Sequence, residues 1–445
     1  MKQGRVDIIT MGCSKNLVDS ERLMRRLAER GYEMCHDSHD VCGEYVVVNT
    51  CGFIGDAKEE SVNMILELGR AKAEGRIGRL AVMGCLSERY IDELKELIPE
   101  VDAWYGKYDW EAIVATLPCL NSAEMPLKPW ERTLTGPSYS AYLKISEGCN
   151  RFCAYCAIPI ITGRHKSRPV AEIVDEVRSL VASGVTEFNV IAQDLSAYGL
   201  DLGYSNQPAP GTKSGLATLV EQISDVPGVR WIRLHYAYPV DFPYDVLTVM
   251  RERDNVCNYL DIALQHISTP VLENMRRHID RDDTLRLIDR IRSEVPGIRL
   301  RTTLMTGFPG EGDLEFSELL DFVRDMRFER LGAFAYCEED DTYAQKHFED
   351  SVPVSVKEER KRQVLELQEE ISLALNNSLV GQRVTVLIDR IEDGEAVGRT
   401  QWDSPEVDNE VRIMAGECDD SLIGQYKDVV ITDADAFDLT AEFVD

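Results

Sequence analysis

Cysteine carries the clearest chemical signal in the chain. Residues 149–156 read CNRFCAYC, which sets Cys149, Cys153 and Cys156 in a C-x3-C-x2-C run directly after Gly148. Three thiolates so close on one loop can take three corners of a small iron–sulfur cluster and leave the fourth iron open. Zinc held by the same cysteines and His165 is the competing reading, because structural zinc takes four such ligands. Against zinc, no second Cys-x2-Cys knuckle follows, and the run also departs from the C-x2-C-x2-C-x3-C-P spacing of bacterial ferredoxins. A cluster with one open position is the expected occupant.

A second set is dispersed. Cys13, Cys51 and Cys85 stand in MGCSKNLVDSER, NTCGFIGDAKEES and MGCLSERY, each beside a glycine: Gly12, Gly52 and Gly84. Any one of them alone reads as a small buried hydrophobe, but three equivalent positions read together as ligands. The other six, Cys35, Cys42, Cys119, Cys257, Cys337 and Cys418, lack a partner at ligand spacing and are expected to be small buried hydrophobes.

The elements around these residues explain why both sets are reactive candidates. Up to about residue 115, β-branched runs (RVDIITMGC, YVVVNTCGF, RLAVMGC) alternate with amphipathic helices, the pattern of an open parallel sheet. All three dispersed cysteines then emerge at strand carboxyl ends, where such sheets bind ligands. After the proline-bearing stretch LPCLNSAEMPLKPWERTLTGP, strand signals recur at βα spacing through AYLKIS, EFNVIAQ, WIRLHY, YLDIAL, RLRTTLMTGF and RLGAFAY. Six βα units predict a partial (β/α)6 barrel, with CNRFCAYC on its functional rim after the first strand. A charged helix from about Val354 to Leu375 leads to short strands with Gly-rich turns, a small all-β barrel or sandwich. The expected division is 1–120, a linker at 121–138, 139–375 and 376–445.

Composition limits the function classes. The 445 residues exceed one compact core, 44% are hydrophobic, and no apolar run reaches transmembrane length. The N-terminal apolar patch is too short for a signal-peptide core, so a cytoplasmic protein without membrane contact is expected. A net charge of −29 repels phosphate backbones and attracts basic proteins.

C-x3-C-x-Tyr-C after the first strand of a six-fold βα pattern resembles the radical S-adenosylmethionine (SAM) superfamily. The resemblance implies that SAM itself fills the open iron of a [4Fe-4S] cluster and is cleaved there to a hydrogen-abstracting radical. Cys13, Cys51 and Cys85 resemble the triad of the methylthiotransferase family, which implies a second, sulfur-donating [4Fe-4S] cluster. LKISEGCNRFCAYCAIP, GRHKSRP, IAQDLSAYG, LQHIS, NMRR and TTLMTGFPGE are similar to family segments of the central domain, and the last region resembles a TRAM domain. By the same resemblance Tyr155 is a cofactor-binding candidate; Gln193, Asp194 and Gln265 join it as polar residues at strand ends, and Gly307 because it allows close backbone approach at the rim.

Within that family, GCSKNLVDSE and WDSPEVD resemble the branch that methylthiolates an aspartate β-carbon of small-subunit ribosomal protein twelve. Ser14 stands where that branch usually has Pro, and Ser404 and Val407 also depart from its pattern. Trp402, Asp403, Glu406 and Asp408 are the substrate-binding candidates. From Asn376 onward seventeen Asp and Glu face five Lys and Arg, which suits a basic ribosomal protein and not tRNA. A flavodoxin or ferredoxin is the implied electron donor. The rival readings are a tRNA adenosine methylthiotransferase, a non-catalytic iron–sulfur electron carrier and a zinc-stabilised RNA-binding protein.

Overall fold

A computed structural model of the chain describes residues 1–121, 126–414 and 418–444. The first unit runs β1 (Lys2–Thr10), α1 (Ser14–Glu29), β2 (Glu33–His36), β3 (Gly43–Thr50), α2 (Gly55–Ala73), β4 (Arg79–Gly84), α3 (Cys85–Leu97), β5 (Ala103–Trp104) and α4 (Trp110–Thr116). Its sheet is parallel in the order β2-β1-β3-β4-β5. Helices cover both faces, so β3 is apolar on both: Val46 and Val48 pack with Ile65 and Leu68, while Val47 packs with Leu23 and Leu27. β2 and β5 escaped the sequence reading because four half-exposed residues and two residues carry too little periodicity.

The central unit begins with β6 (Ser140–Lys144), followed by a short pair, β7 (Ser146–Glu147) and β8 (Lys166–Ser167), that brackets α5 (Ile158–Thr162). Then come α6 (Val170–Ala182), β9 (Glu187–Ile191), α7 (Gly215–Ser224), β10 (Trp231–Ala237), α8 (Asp245–Glu252), β11 (Val256–Ile262), α9 (Thr269–Asn274) and α10 (Arg281–Glu294). β12 (Arg299–Thr306), α11 (Asp313–Met326), β13 (Arg330–Ala335), α12 (Tyr343–His347) and α13 (Val354–Asn377) complete it. The six parallel strands lie in chain order, β6-β9-β10-β11-β12-β13, an open (β/α)6 barrel. One large apolar core of strand and helix residues, from Leu143 to Ile371, holds the helices on its outside.

β14 (Arg383–Glu392), β15 (Glu395–Thr400), β16 (Val411–Ile413), β17 (Tyr426–Ala434) and β18 (Leu439–Phe443) close a barrel around Val386, Ile388, Ile413, Val429 and Ile431. This barrel caps the amino ends of the central strands. Glu187 at the start of β9 pairs with Arg399, Tyr139 before β6 donates to Asp389, and Arg330 at the start of β13 pairs with Asp403. The first unit packs at the opposite end, where Lys144 pairs with Asp19, and both Lys58 and Arg89 pair with Glu339.

Residues 122–125 of the expected linker lie outside the described residues; in the remainder Trp130 is buried, and Arg132 pairs with Glu21 at 2.5 Å and Glu176 at 2.9 Å. One expectation needs correction. Among the six unassigned cysteines only Cys257 is buried; Cys35, Cys42 and Cys418 are half-buried, and Cys119 and Cys337 are exposed. Cys35, Cys42, Cys119 and Cys337 sit on a short edge strand or on loops, while Cys418 packs from a loop against the C-terminal barrel core. No helix among the described residues is long and apolar enough to cross a membrane.

Candidate functional site

The chain leaves β6 at the carboxyl end of the barrel and turns through Gly148, whose φ of 72° favours glycine. Backbone bonds then fix the cysteine loop: the Cys149 N–H donates to Gly163 O, the Cys156 N–H to Cys153 O and the Ala154 N–H to Met275 O. Cys149 and Cys153 are buried and Cys156 is half-buried. Burial pushes the Cys149 thiol up to about 12 and raises Cys156 as well. Such thiols stay protonated at neutral pH until a metal displaces the proton.

The buried guanidinium of Arg277 supports that role. It donates to Cys153 Sγ at 3.4 Å and Tyr155 Oη at 3.3 Å, its Nε has no partner, and among the described residues it pairs with no carboxylate. A buried cation without a carboxylate is expensive unless an anion faces it, and ligated thiolates are such anions. Tyr238 adds a hydroxyl 3.8 Å from Cys153 Sγ. Ser146 Oγ, Gln193 Oε1 and His165 Nδ1 are also buried and unpaired in the same neighbourhood. These features fit a cluster with a polar ligand on it.

The dispersed triad assembles at the carboxyl ends of β1, β3 and β4. Cys13 is the N-cap of α1, Cys51 follows β3, and Cys85 opens α3, so two helix amino termini present N–H dipoles to the site. The glycines are needed because the loops nest. A Cβ on Gly12, at φ 90°, would lie 2.8 Å from Cys51 Sγ, and one on Gly84, at φ 105°, would lie 2.5 Å from Thr50 O. Burial raises Cys51 and lifts Cys85 to about 11. For Cys13 the loss of solvation is outweighed by Lys15, the Asn16 N–H and Lys107, and its thiol is lowered.

Beneath the triad, buried Lys107 donates to Asn16 Oδ1 at 3.4 Å and Asp19 Oδ2 at 3.1 Å, and Cys85 Sγ lies 3.6 Å from the same Asn16 oxygen. Asp19 pairs on with Lys144, and Lys144 with Glu147, which accepts from Gln193. Cys85 also packs against Ala157 and Ile161, the continuation of the CNRFCAYC loop. The two cysteine sets therefore face one shared interdomain space.

Among the described residues, no three His, Cys, Asp or Glu side chains converge on a single ion. His165, the zinc candidate, instead shares a hydrogen bond with Ser167 Oγ at 3.0 Å, and burial lowers its pKa.

The other candidates divide. Tyr155 lies beside the cysteines in an apolar group with Phe308. Gln193 faces the rim, and Gln265 holds a left-handed backbone, φ 72°, at 9% exposure, a strain typical of sites. Asp194 is occupied, pairing with Arg151 Nε at 2.6 Å and capping Ala197. The space beside Gly307 is filled by the Lys357 stem of α13, so its glycine serves packing.

In WDSPEVD the substrate candidates Asp403 and Asp408 already have partners within the chain. Asp403 is bound by Arg330 and Asp408 by Arg301 at 2.5 Å and Tyr259 at 2.9 Å, ion pairs that lock the C-terminal barrel to the central one. Trp402 sits under the Arg299 guanidinium, and only Glu406 is exposed. In GRHKSRP, Arg168 pairs with Glu172 and Glu176. Sequence reasoning missed Arg277 and Lys107. NMRR contains the first, but no local pattern marks a buried cation whose partners lie elsewhere in the chain.

Family models match the uncharacterized protein family UPF0004 over residues 5–106, the radical SAM superfamily over 143–323 and a TRAM domain over 380–444. Proteins named ribosomal protein uS12 methylthiotransferase RimO are 58% identical over 445 residues in Porphyromonas gingivalis, covering all of both chains. The Bacteroides fragilis protein of that name is 56% identical over 444 residues, again covering all of both. The chain belongs to the RimO family.

Solved structures agree on the fold. The radical SAM methyltransferase TsrM from Kitasatospora setae, with cobalamin and a [4Fe-4S] cluster bound, aligns at TM-score 0.53 and 15% identity over 75% of this chain and 72% of that one. The cobalamin-dependent SAM radical enzyme OxsB aligns at TM-score 0.50 and 11% identity over 83% of this chain and 62% of its own. The RimO assignment and the barrel geometry thus coincide with the expected architecture: open parallel unit, partial (β/α)6 barrel and small β-barrel.

Proposed function

We propose that this RimO-family chain replaces a β-carbon hydrogen of an aspartate in ribosomal protein uS12 with a methylthio group, using two [4Fe-4S] clusters and SAM. The observation that carries the reading is the pair of three-cysteine sets facing one interdomain space. Cys149, Cys153 and Cys156 hold the SAM-cleaving cluster, and Cys13, Cys51 and Cys85 hold the auxiliary one. When bound, the first supplies reductive SAM cleavage to a hydrogen-abstracting radical, and the second presents the sulfur.

The chain's own residues position and insulate these groups. Arg277 balances thiolate charge at Cys153, and Lys107 does so beneath the auxiliary triad. Gln193, Ser146 and Tyr155 offer polar and aromatic surface to SAM. The domain limits are taken as 1–120, 121–138, 139–375 and 376–445. The excess of seventeen acidic over five basic residues from Asn376 on favours basic uS12 over tRNA. A flavodoxin or ferredoxin supplies electrons, and the setting is the cytoplasm, where ribosomal proteins are made.

The test is anaerobic reconstitution with iron and sulfide, followed by reductant, SAM and uS12. Deoxyadenosine should form in the wild type and vanish in Cys153→Ala. Cys51→Ala should still form deoxyadenosine but leave uS12 unmodified. Methylthio transfer by Cys51→Ala at the wild-type level would remove the auxiliary role, and a modified tRNA adenosine in place of uS12 would move the chain to the tRNA reading.

A further inference from the structure

Besides its effect on Cys13, Lys15 places an ammonium in the interdomain space. Lys15 is the second residue of α1, two positions after Cys13, and it is half-buried. A lysine in a first helical turn opposes the helix dipole, and α1 has no acidic residue there to compensate. Among the described residues its ammonium has no carboxylate partner. It lies instead 3.5 Å from the ring centroid of Tyr236.

Tyr236 is itself unusual. It holds φ 64° at the end of β10, where the register against β11 shifts, and 38% of it is exposed. A bulky residue in the left-handed region is strained and persists where surrounding structure demands it. The Lys15 charge is also felt at Cys13, at His235 and at Asp261 on the barrel strands. Next to it, Ser14 Oγ is buried without a partner. Lys15 thus joins the auxiliary cysteines to the barrel mouth, on an aromatic face that holds an ammonium without neutralising it.

We propose that the Lys15 ammonium binds the side-chain carboxylate of the target aspartate and so sets its β-carbon beside the Cys13, Cys51 and Cys85 site. The proposal rests on the uS12 reading above. The reacting β-carbon is bonded directly to the carboxyl carbon, so a cation that fixes the carboxylate fixes the reacting atom one bond away. A charge-assisted hydrogen bond of this kind discriminates strongly against the isosteric amide. Lys15 is then a specificity-determining residue for an acidic side chain.

The test uses reconstituted holoenzyme, full-length uS12 and uS12 with its target aspartate changed to asparagine. Wild-type enzyme should bind the asparagine protein about tenfold or more weakly. Lys15→Met should raise KM for native uS12 by a similar factor and bind both proteins equally, and Lys15→Arg should restore the preference. Equal wild-type binding of the two uS12 proteins overturns the proposal without needing any enzyme variant. A Lys15→Met enzyme with unchanged KM and a shifted auxiliary-cluster potential also overturns it, assigning the lysine to cluster charge alone. A wild-type enzyme that never modifies uS12 defeats the functional reading itself, a separate and recognisable failure.

Discussion

Replacing Glu187 with alanine should loosen the C-terminal barrel from the base of the central one. The Glu187 carboxylate accepts from Arg233 Nη1 at 2.6 Å, from Arg399 Nη1 and Nη2 at 3.0 Å each, and from Ser140 Oγ at 2.6 Å. Glu187 and Arg233 are 0% exposed and Arg399 is 5% exposed. Burial pushes the carboxyl up, but Arg399 and Arg233 outweigh it and hold Glu187 far below the usual range. Without Glu187, Arg399 keeps Asp389, while Arg233 keeps only Asn189 Oδ1 and the carbonyls of Thr400 and Gln401. Stripping one partner from a buried pair costs about 3–5 kcal/mol. Because Asp389 still serves Arg399, the expected loss is about 3 kcal/mol, roughly a hundredfold in the equilibrium. Urea unfolding followed by tryptophan fluorescence reports it, since Trp231 and Trp402 lie at this interface. The depressed carboxyl stabilises the fold above its unfolded pKa of about 4.3, so the gap between wild type and variant should narrow as pH falls below that value. A loss under about 1 kcal/mol at pH 7 would refute the inference that this triad holds the two barrels together.

Three further outcomes follow from single residues. Burial raises Asp261 to about 6 against the lowering effect of Arg301, so its contribution is fully present below about pH 4 and lost as pH rises through 6. Asp261→Asn should therefore stabilise the protein by about 2 kcal/mol at pH 7.5 and very little at pH 4, measured by urea unfolding at both; equal gains would contradict the assignment. Gly12→Ala forces a Cβ against Cys51 and a left-handed backbone onto alanine, so iron content should fall by about half while the central cluster's absorbance persists. Arg277→Met removes the cation beside Cys153, and the midpoint of the central cluster should become more negative by on the order of tens of millivolts in an EPR-monitored titration.

Most of the architecture was legible because it rests on periodicity. Apolar runs such as YVVVNT and EFNVI, each bounded by glycine or helix signals, announce buried parallel strands, and the cysteines mark their carboxyl ends. What the sequence hid was the electrostatic wiring. Asp403 and Asp408 look like an exposed acidic motif, yet each answers an arginine more than seventy residues earlier, Arg330 and Arg301. Lys107, Arg277 and Glu187 likewise take their meaning from partners on other elements, which no local pattern encodes. Gly307 shows the same limit, since a glycine at a strand end reads the same in sequence whether or not a side chain such as Lys357 packs beside it.

The most direct measurement is the intact mass of uS12 after incubation with the reconstituted enzyme, SAM and reductant. A gain of one methylthio group, mapped by fragmentation to an aspartate, is expected, and no gain with either Cys51→Ala or Cys153→Ala. An unchanged uS12 alongside a methylthiolated tRNA adenosine, or a full gain with the Cys51 variant, would contradict it.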